Sequence, residues 1–316
     1  MQPPFPSPTA TWHNDTYPAI HPTNPALSQQ GNTVVITGAG SGIGRATAVA
    51  FAQAGARHIV LIGRTQVTLE ETLAQIKDIS ATPTSSIFVA SVTDDASIQD
   101  IAQKVGPWDV LVLNAAHLSP PASIKDTSFQ AFWASHETNV RATFVAAHAF
   151  VPTANPRAIL LAVNSNGWFL PVSSGVGLTG YMTSKIAQAK LIEYLAHEYP
   201  DLFICSLHPG VIDTAMLRAS GFDESQLPFD ADLHVIQRGL ASGLYHDCKD
   251  EKTGLMQIVV ELPAHFMVWL SGPQEKKFLS GRMVWANWDV EELAAKAEEI
   301  IKEDLFTVGL TGWPFA

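Results

Sequence analysis

A tyrosine and a lysine lie four positions apart in the stretch YMTSK, Tyr181 to Lys185. Positions four apart share one face of a helix, so the phenol and the ammonium group can project into one site. A phenol with a pKa of about 10 is a poor base at neutral pH, but a nearby cation lowers that pKa. The pair therefore predicts proton transfer, with Tyr181 as general acid/base. The alternative is a half-buried tyrosine and a solvated lysine on an ordinary amphipathic helix.

A glycine-rich turn points to a second kind of chemistry. The stretch TGAGSGIGRA, Thr37 to Ala46, follows the apolar run NTVVI and precedes TAVAFAQAGA. Gly38, Gly42 and Gly44 would let the backbone approach a pyrophosphate closely, and the next helix would offer free N–H groups and its positive dipole end. The pattern predicts a dinucleotide site. A strand-to-helix turn without a ligand is the alternative.

These residues need a scaffold, and short apolar strands alternate with helical periodicity along the chain. Such alternation predicts an α/β fold, a single Rossmann-type doubly wound parallel sheet of about seven strands flanked by helices. The predicted strands are Thr33–Thr37, His58–Ile62, Ile87–Ala90, Val110–Leu113, Ile159–Val163, Phe203–Leu207 and Arg282–Trp285.

The length and composition favour one large domain. A chain of 316 residues that is 47% hydrophobic can bury a sizeable core. Residues 1–30 hold seven prolines and are predicted to form an extended N-terminal arm. Residues 31–316 are predicted to form a single dinucleotide-binding catalytic domain. Within it we expect a substrate lid near 214–235 and a packing segment near 262–316.

The charge balance narrows the choice of partners. A net charge of −11 without a Lys/Arg-rich run disfavours nucleic acid and anionic membrane surfaces, and favours a small-molecule substrate. Cys205 and Cys248 are too few for a disulfide framework and lack metal-ligand spacing, so we expect no metal. We see no secretory leader and no apolar run of about 18 residues, so we expect a cytoplasmic protein.

The glycine spacing and the Tyr-x-x-x-Lys pair together resemble the fingerprints of the classical short-chain dehydrogenase/reductase family. The resemblance runs from about Gly31 to Val211. DVLVLNAAH is similar to the family's Asn-Asn-Ala-Gly stretch, and HPGVIDT to the Pro-Gly turn and Thr that contact the nicotinamide. The proline-rich arm, LPAHFMVWLSGP and GRMVWANWD are similar to a fungal branch of the family.

The resemblance implies a set of site residues. The implied catalytic residues are Asn139 as relay support, Ser165 as oxyanion donor, Tyr181 as general acid/base and Lys185 as pKa modulator and ribose anchor. The implied cofactor contacts are Thr37, Gly38, Ser41, Gly42, Ile43, Gly44, Arg64, Ser91, Val92, Asn114, Ala115, Ala116, Tyr181, Lys185, Pro209, Gly210 and Thr214.

The choice of serine follows from position in the chain. Where the family usually has its catalytic serine, this chain has Trp168. Ser165 directly follows the predicted fifth strand, and a strand end fixes a side chain more tightly than a long loop does. Ser173 and Ser174, further along the loop, remain alternatives.

The cofactor choice depends on the end of the second predicted strand. A carboxylate there would bond the ribose 2′-hydroxyl of NAD, whereas an Arg accommodates a 2′-phosphate. The sequence HIVLIGRT offers Arg64 and no carboxylate, which favours NADP over the alternative, NAD. This chain also departs from the usual family sequence at two places near the cofactor. Leu113-Asn114-Ala115-Ala116 replaces Asn-Asn-Ala-Gly, and Ser91-Val92 replaces a frequent Asp-Val pair near the adenine.

The sequence therefore predicts an NADP-dependent oxidoreductase that moves a hydride between nicotinamide and a small or medium apolar carbonyl or secondary alcohol. The alternatives are a non-redox enzyme on the same scaffold, such as a dehydratase, isomerase or cyclase, and a cofactor-binding regulator without turnover. Helices around 129–151 and 181–199 carry surplus apolar positions, and in the family they form the subunit contact, so we expect a homodimer or homotetramer. The candidate pocket residues are Trp168, Phe169, Met182, Met216, Leu217 and Phe222.

Overall fold

The structure is a computed structural model, and it describes residues 6–79, 83–169, 172–212, 214–221, 259–272 and 276–309. Seven strands form one sheet in the order β3-β2-β1-β4-β5-β6-β7, and every pair of neighbours is parallel. The strands are β1 (Thr33–Thr37), β2 (His58–Gly63), β3 (Thr84–Val89), β4 (Trp108–Leu113), β5 (Ala154–Val163), β6 (Phe203–His208) and β7 (Met283–Trp285). The predicted doubly wound α/β fold is confirmed.

Strand bounds differ from the prediction mainly at the first residues. β3 begins at Thr84 and β5 at Ala154, both earlier than the apolar runs indicated. Backbone pairing extends β5 past the core, because Trp108 pairs with Ala154 before an irregularity in the register. A ladder needs only backbone groups, so polar residues can begin a strand.

Helices cover both faces of the sheet. They are α1 (Gly42–Gln53), α2 (Gln66–Ile79), α3 (Asp95–Val105), α4 (Phe129–His136), α5 (Ala142–Phe150), α6 (Thr179–Glu198), α7 (Ala215–Ser220), α8 (Glu261–Leu270), α9 (Val290–Ala295) and α10 (Ala297–Lys302). A π-helical turn, Glu137–Arg141, separates α4 from α5. The helical pattern predicted over 129–151 is therefore interrupted, and single π turns are frequent at functional sites. None of the helices in the described part of the chain has the length and apolar character to span a membrane.

The alternating sides of β1 explain the two layers of the core. Val34 packs with Phe51 of α1 and Phe266 of α8 on one face of the sheet. Val35 packs with side chains of α3, α5 and α6, among them Phe150, on the other face. Burying one such side chain contributes about 1.5–3 kcal/mol, so both faces stabilise the central strand that leads into the glycine turn.

The N-terminal arm lies against the C-terminal part of the chain. Trp12 forms an antiparallel bridge with Trp288, and the His13 Nε2 atom lies 2.9 Å from the Asp289 carboxylate. The ring of His13 stacks on Tyr17 at 3.6 Å. The described arm residues thus contribute to the main core. Most of the predicted lid, from residue 222 onward, lies outside the described residues.

Candidate functional site

The predicted acid/base and oxyanion residues meet at the carboxyl end of β5. Ser165 follows that strand, and Tyr181 lies in the first turn of α6. Their side chains lie close enough for Ser165 to lower the pKa of the phenol. Val172–Gly175 form a separate 3-10 turn, and the side chains of Ser173 and Ser174 lie outside the described residues. The structure therefore brings the chosen serine to the tyrosine.

Burial controls the two titratable groups on α6. It raises the pKa of Tyr181 to about 12, and the nearby Ser165 side chain acts in the opposite direction. Burial lowers the pKa of Lys185 to about 7. The Lys185 ammonium donates to the Val163 carbonyl and to Gln188 Oε1, both at 2.9 Å, and lies 5.8 Å from the Tyr181 ring centroid. The expected lowering of the phenol pKa thus has to overcome desolvation in the folded chain.

Asn139 lies in the π turn and is fully buried. Its Oδ1 accepts from the His117 N–H at 2.9 Å, and its Nδ2 donates to the His117 carbonyl at 3.0 Å and to Ser184 Oγ at 2.9 Å. The Ser184 hydroxyl in turn donates to the Tyr181 carbonyl. These bonds fasten the segment after β4 to α6. The relay function of Asn139 stays a prediction.

Asn164 is a site residue that the sequence reasoning missed. Its Oδ1 accepts from the Ser165 N–H at 2.7 Å and from Trp168 Nε1 at 3.1 Å. Its Nδ2 donates to the Lys185 carbonyl at 3.1 Å. The side chain therefore holds the segment that carries Ser165, residues 164–168, against α6. We call these residues the serine segment. The available signal was a polar residue at the end of an apolar strand, where a buried amide needs partners.

The glycine turn between β1 and α1 has the close packing that the motif requires. Gly38 and Gly42 have positive φ values of 67° and 50°. A Cβ atom on Gly44 would lie 2.3 Å from the Gly38 carbonyl oxygen. A Cβ on Gly42 would instead face Thr214, 3.5 Å from its Cγ2 atom. The Ser41 side chain makes no capping bond at the start of α1, so the first-turn amides can serve a ligand.

Thr37 and Asn114 connect the glycine turn to the end of β4. The Thr37 hydroxyl oxygen accepts from the N–H groups of Asn114 at 3.0 Å and Ala115 at 3.1 Å. Asn114 Nδ2 donates back to the Thr37 carbonyl at 3.0 Å. A Cβ on Gly38 would lie 3.1 Å from Ala115 Cα, so the two segments approach closely. Thr37 and Asn114 thus act at least as supports of the turn.

Arg45 is a second support that the sequence reasoning missed. It donates to the Gly40 carbonyl and to the Glu71 carboxylate, each at 2.6 Å. Thr72 Oγ1 donates to the Ala39 carbonyl at 2.9 Å. Two carbonyls of the turn are therefore bound on the α2 side. Only the folded chain brings α2 beside the glycine turn.

The adenosine side of the predicted site is more open. Arg64 follows β2 and is exposed, and no described residue forms a hydrogen bond or ion pair with it. Its charge lowers the pKa of His117, although burial of that imidazole is the larger cause. Ser91 Oγ lies 2.8 Å from Thr93 Oγ1, and Val92 is half-buried. The guanidinium is thus available to a ligand.

The side of the site away from the adenosine end, around Trp168 and Phe169, is apolar. Phe169 is 46% exposed, and its ring lies 5.1 Å from Trp168 and 5.4 Å from Trp285. Met182 packs so closely on Gly167 that a Cβ there would lie 2.4 Å from the methionine Cε. Met216 and Leu217 lie on α7, whereas Phe222 lies outside the described residues.

The turn after β6 completes the predicted cofactor contacts. Gly210 follows Pro209 with a φ of 91°, and Thr214 Oγ1 accepts from the Leu217 N–H at 3.3 Å. Within the described ranges, no three His, Cys, Asp or Glu side chains come together to hold a metal ion.

A nicotinamide dinucleotide can be tested against this geometry. The cradle at the glycine turn, which a side chain would fill, lies opposite Thr214, and uncapped amides of α1 face it. The polar groups of Ser165, Tyr181 and Lys185 lie at the same end of the sheet, as binding at the carboxyl ends of parallel strands requires. The residues present fit such a cofactor.

Comparisons with known proteins agree with this fit. Residues 32–225 match the short chain dehydrogenase family. The short chain dehydrogenase mpl6 of Monascus purpureus is 33% identical, over 96% of this chain and 98% of its own. The short chain dehydrogenase/reductase nsrO of Aspergillus novofumigatus is 31% identical, over 96% of this chain and 97% of its own.

Solved structures share the fold. A dehydrogenase/reductase from Sinorhizobium meliloti is 26% identical, has a TM-score of 0.65, and matches over 83% of this chain and 95% of its own. A Beutenbergia cavernae protein that was crystallised with NADP is 25% identical, has a TM-score of 0.66, and matches over 83% of this chain and 97% of its own. Together with the site geometry, these relationships show that the chain belongs to the short-chain dehydrogenase/reductase family and is a nicotinamide-dependent oxidoreductase.

Proposed function

We propose that the protein is an NADP-dependent reductase of small or medium apolar ketones, which can also oxidise the corresponding secondary alcohols. The observation that carries this proposal is the proximity of the Ser165 and Tyr181 side chains at the sheet edge that the glycine turn shares. It gives a donor and an acid/base at one point, which a cofactor-binding regulator would not need.

Different residues of the site would bind different parts of the cofactor. The glycine-turn amides and the start of α1 would bind the pyrophosphate, and Lys185 and Thr214 would bind the nicotinamide half. When bound, the nicotinamide supplies or accepts the hydride. The chain's own residues then have to orient the carbonyl and move one proton.

Tyr181 would donate its phenolic proton to the carbonyl oxygen during reduction and accept it during alcohol oxidation. Burial holds the phenol protonated, with a pKa of about 12, which suits the donor step. Ser165 would donate a hydrogen bond to the same oxygen as negative charge develops there. The Lys185 ammonium, 5.8 Å from the ring centroid, would stabilise the phenolate left behind.

The preference for NADP rests on Arg64. The end of β2 presents an exposed guanidinium and no carboxylate, the arrangement that suits a 2′-phosphate. The Beutenbergia cavernae relative, crystallised with NADP, supports the same choice.

The proposed substrate class rests on exposed apolar side chains at the carboxyl end of the sheet. Phe169 and Met216 are exposed large apolar residues at the same end of the sheet. An apolar substituent next to the carbonyl would cover them and gain about 25 cal/mol for each Å² of apolar surface buried.

The proposal also includes an assembly and a compartment. Phe129 and Trp133 on α4 and Tyr194 on α6 are 88%, 57% and 61% exposed. Because α4 and α6 pack together, these rings present a face that a second copy can cover, giving a homodimer or homotetramer. Cys205 is buried as a free thiol, which suits a reducing compartment such as the cytoplasm.

The decisive experiment measures nicotinamide absorbance with a panel of aliphatic and aromatic ketones, and then with the matching alcohols and oxidised cofactor. Wild type should consume NADPH with at least one apolar ketone. Tyr181→Phe keeps the ring and should lower kcat by about 10²–10⁴-fold, the contribution of general acid–base catalysis, while NADPH affinity stays near wild type. Conversion of a substrate without an absorbance change would favour the non-redox alternative.

A further inference from the structure

His208, the last residue of β6, connects the serine segment to the sheet edge. It is 5% exposed, and its Nδ1 accepts from the Asn166 N–H at 3.2 Å. Its carbonyl accepts from the Ala286 N–H at 3.0 Å. The imidazole also makes an edge-to-face contact with Trp285, at 4.9 Å between ring centroids. The ring is therefore held from two sides while it binds the residue after Ser165.

The imidazole acts as a fixed acceptor. Burial lowers its pKa to about 3, so it is neutral at ordinary pH. The bond from Asn166 assigns the acceptor role to Nδ1 and the proton to Nε2. A protonated imidazole could not accept this bond, so its neutrality preserves the contact.

The Ser165 peptide is held at both ends. On one side its N–H donates to Asn164 Oδ1 at 2.7 Å, and on the other the Asn166 N–H donates to His208. The Gly167 N–H donates to Ser165 Oγ at 3.2 Å, which fixes the oxygen itself. Because the serine side chain is short, the position of its backbone largely determines the position of its hydroxyl oxygen.

We propose that His208 is a positioning residue, which sets the Ser165 hydroxyl through the backbone of Asn166. The inference rests on the proposed function, because it presumes that Ser165 orients the substrate oxygen. Trp12 of the N-terminal arm packs on Trp285 at 5.6 Å, so the arm supports the imidazole from behind. The arm, the end of β6 and the serine segment thus form one continuous support.

A double-mutant cycle tests the proposal. The variants are His208→Leu, Ser165→Ala, their combination and His208→Asn, assayed for kcat, ketone KM and NADPH affinity. His208→Leu removes the acceptor and should lower kcat by up to about 10²-fold, the scale of a misplacement of about 1 Å. In the Ser165→Ala background the same change should cost little, because the hydroxyl it positions is gone. His208→Asn offers an amide oxygen near the Nδ1 position and should recover much of kcat.

The outcomes separate the two proposals. If His208→Leu costs the same factor with and without the Ser165 hydroxyl, or if His208→Asn behaves like His208→Leu, His208 does not act through Ser165 and the inference is overturned. If Ser165→Ala alone leaves kcat at the wild-type value, the proposed role of the serine is wrong and this inference falls with it.

A matched control addresses general damage to the fold. His265 is also a buried histidine, but it bonds to Thr16 of the arm. His265→Leu should leave kcat and ketone KM unchanged. Equal losses of kcat from His265→Leu and His208→Leu would assign both to stability and overturn the proposal.

Discussion

Ser165 and Tyr181 lie close enough to interact although they lie on different elements, one after β5 and the other at the start of α6. Sequence spacing left Ser173 and Ser174 as competitors. We therefore expect Ser165→Ala to lower kcat by about 10²–10³-fold, the cost of removing one donor to a developing oxyanion. Ser173→Ala and Ser174→Ala are the matched controls and should each do little in the ketone assay. A loss confined to either control would move the oxyanion donor to that serine.

Removal of the Arg64 guanidinium should separate the two cofactors. Arg64→Ala is expected to weaken NADPH binding by one or two factors of ten, in line with about 1.5–3 kcal/mol for a hydrogen bond to a charged group. NADH binding should stay nearly unchanged. Fluorescence titration of both cofactors measures the difference. Lys77→Ala removes an exposed charge from the end of α2 as a control, and equal losses for NADPH and NADH would eliminate Arg64 as the discriminator.

Burial of Lys185 should make stability depend on pH. Its pKa is 10.5 when unfolded and about 7 in the folded chain, so the unfolded state binds more protons between these values. The free energy of unfolding contributed by this group therefore rises as the pH increases from about 7 to 10.5 and is lowest below that window. Lys185→Met should remove this slope. Urea unfolding of wild type and variant across the window measures it, and parallel curves would contradict the assignment.

The glycine turn should not tolerate a methyl group at Gly44. A Cβ there would lie 2.3 Å from the Gly38 carbonyl oxygen and 2.6 Å from Asn114 Nδ2, both in the well-packed support of the turn. We expect Gly44→Ala to destabilise the protein by about 1–3 kcal/mol, as overpacking does, and to weaken cofactor binding. Gly309→Ala is the control, since no atom of the other described residues lies within 4 Å of a Cβ at that position. Thermal unfolding of both variants, with and without NADPH, tests this.

The exposed rings of α4 and α6 should hold the subunits together. Phe129 and Trp133 lie four positions apart on α4, so one helix face presents both. The double variant Phe129→Ser with Trp133→Ser should shift the sedimentation profile toward 34.1 kDa particles at micromolar concentration. Val67→Ser changes a comparably exposed side chain on α2 and should not. Wild type that sediments only as the monomer would rule out the proposed assembly.

Local sequence patterns determined the fold class and the glycine turn. Apolar runs of strand length that alternate with helical periodicity require a parallel sheet covered on both faces, and the described residues form that sheet. The positions of Gly38, Gly42 and Gly44 express backbone constraints within a few residues of each other, so they could be predicted from spacing alone. The same holds for Tyr181 and Lys185, which one helix places on one face.

Only the tertiary structure decided what surrounds these residues. Asn164, Arg45 and His208 act through bonds to segments distant in sequence, and no spacing rule encodes such contacts. The pKa of Tyr181 is a further example, because the nearby Lys185 suggested a lowering whereas desolvation raises it to about 12. A strand or helix is specified by neighbours along the chain, but burial and hydrogen-bond partners depend on which loops meet at the sheet edge. These loops come together only when the sheet has formed.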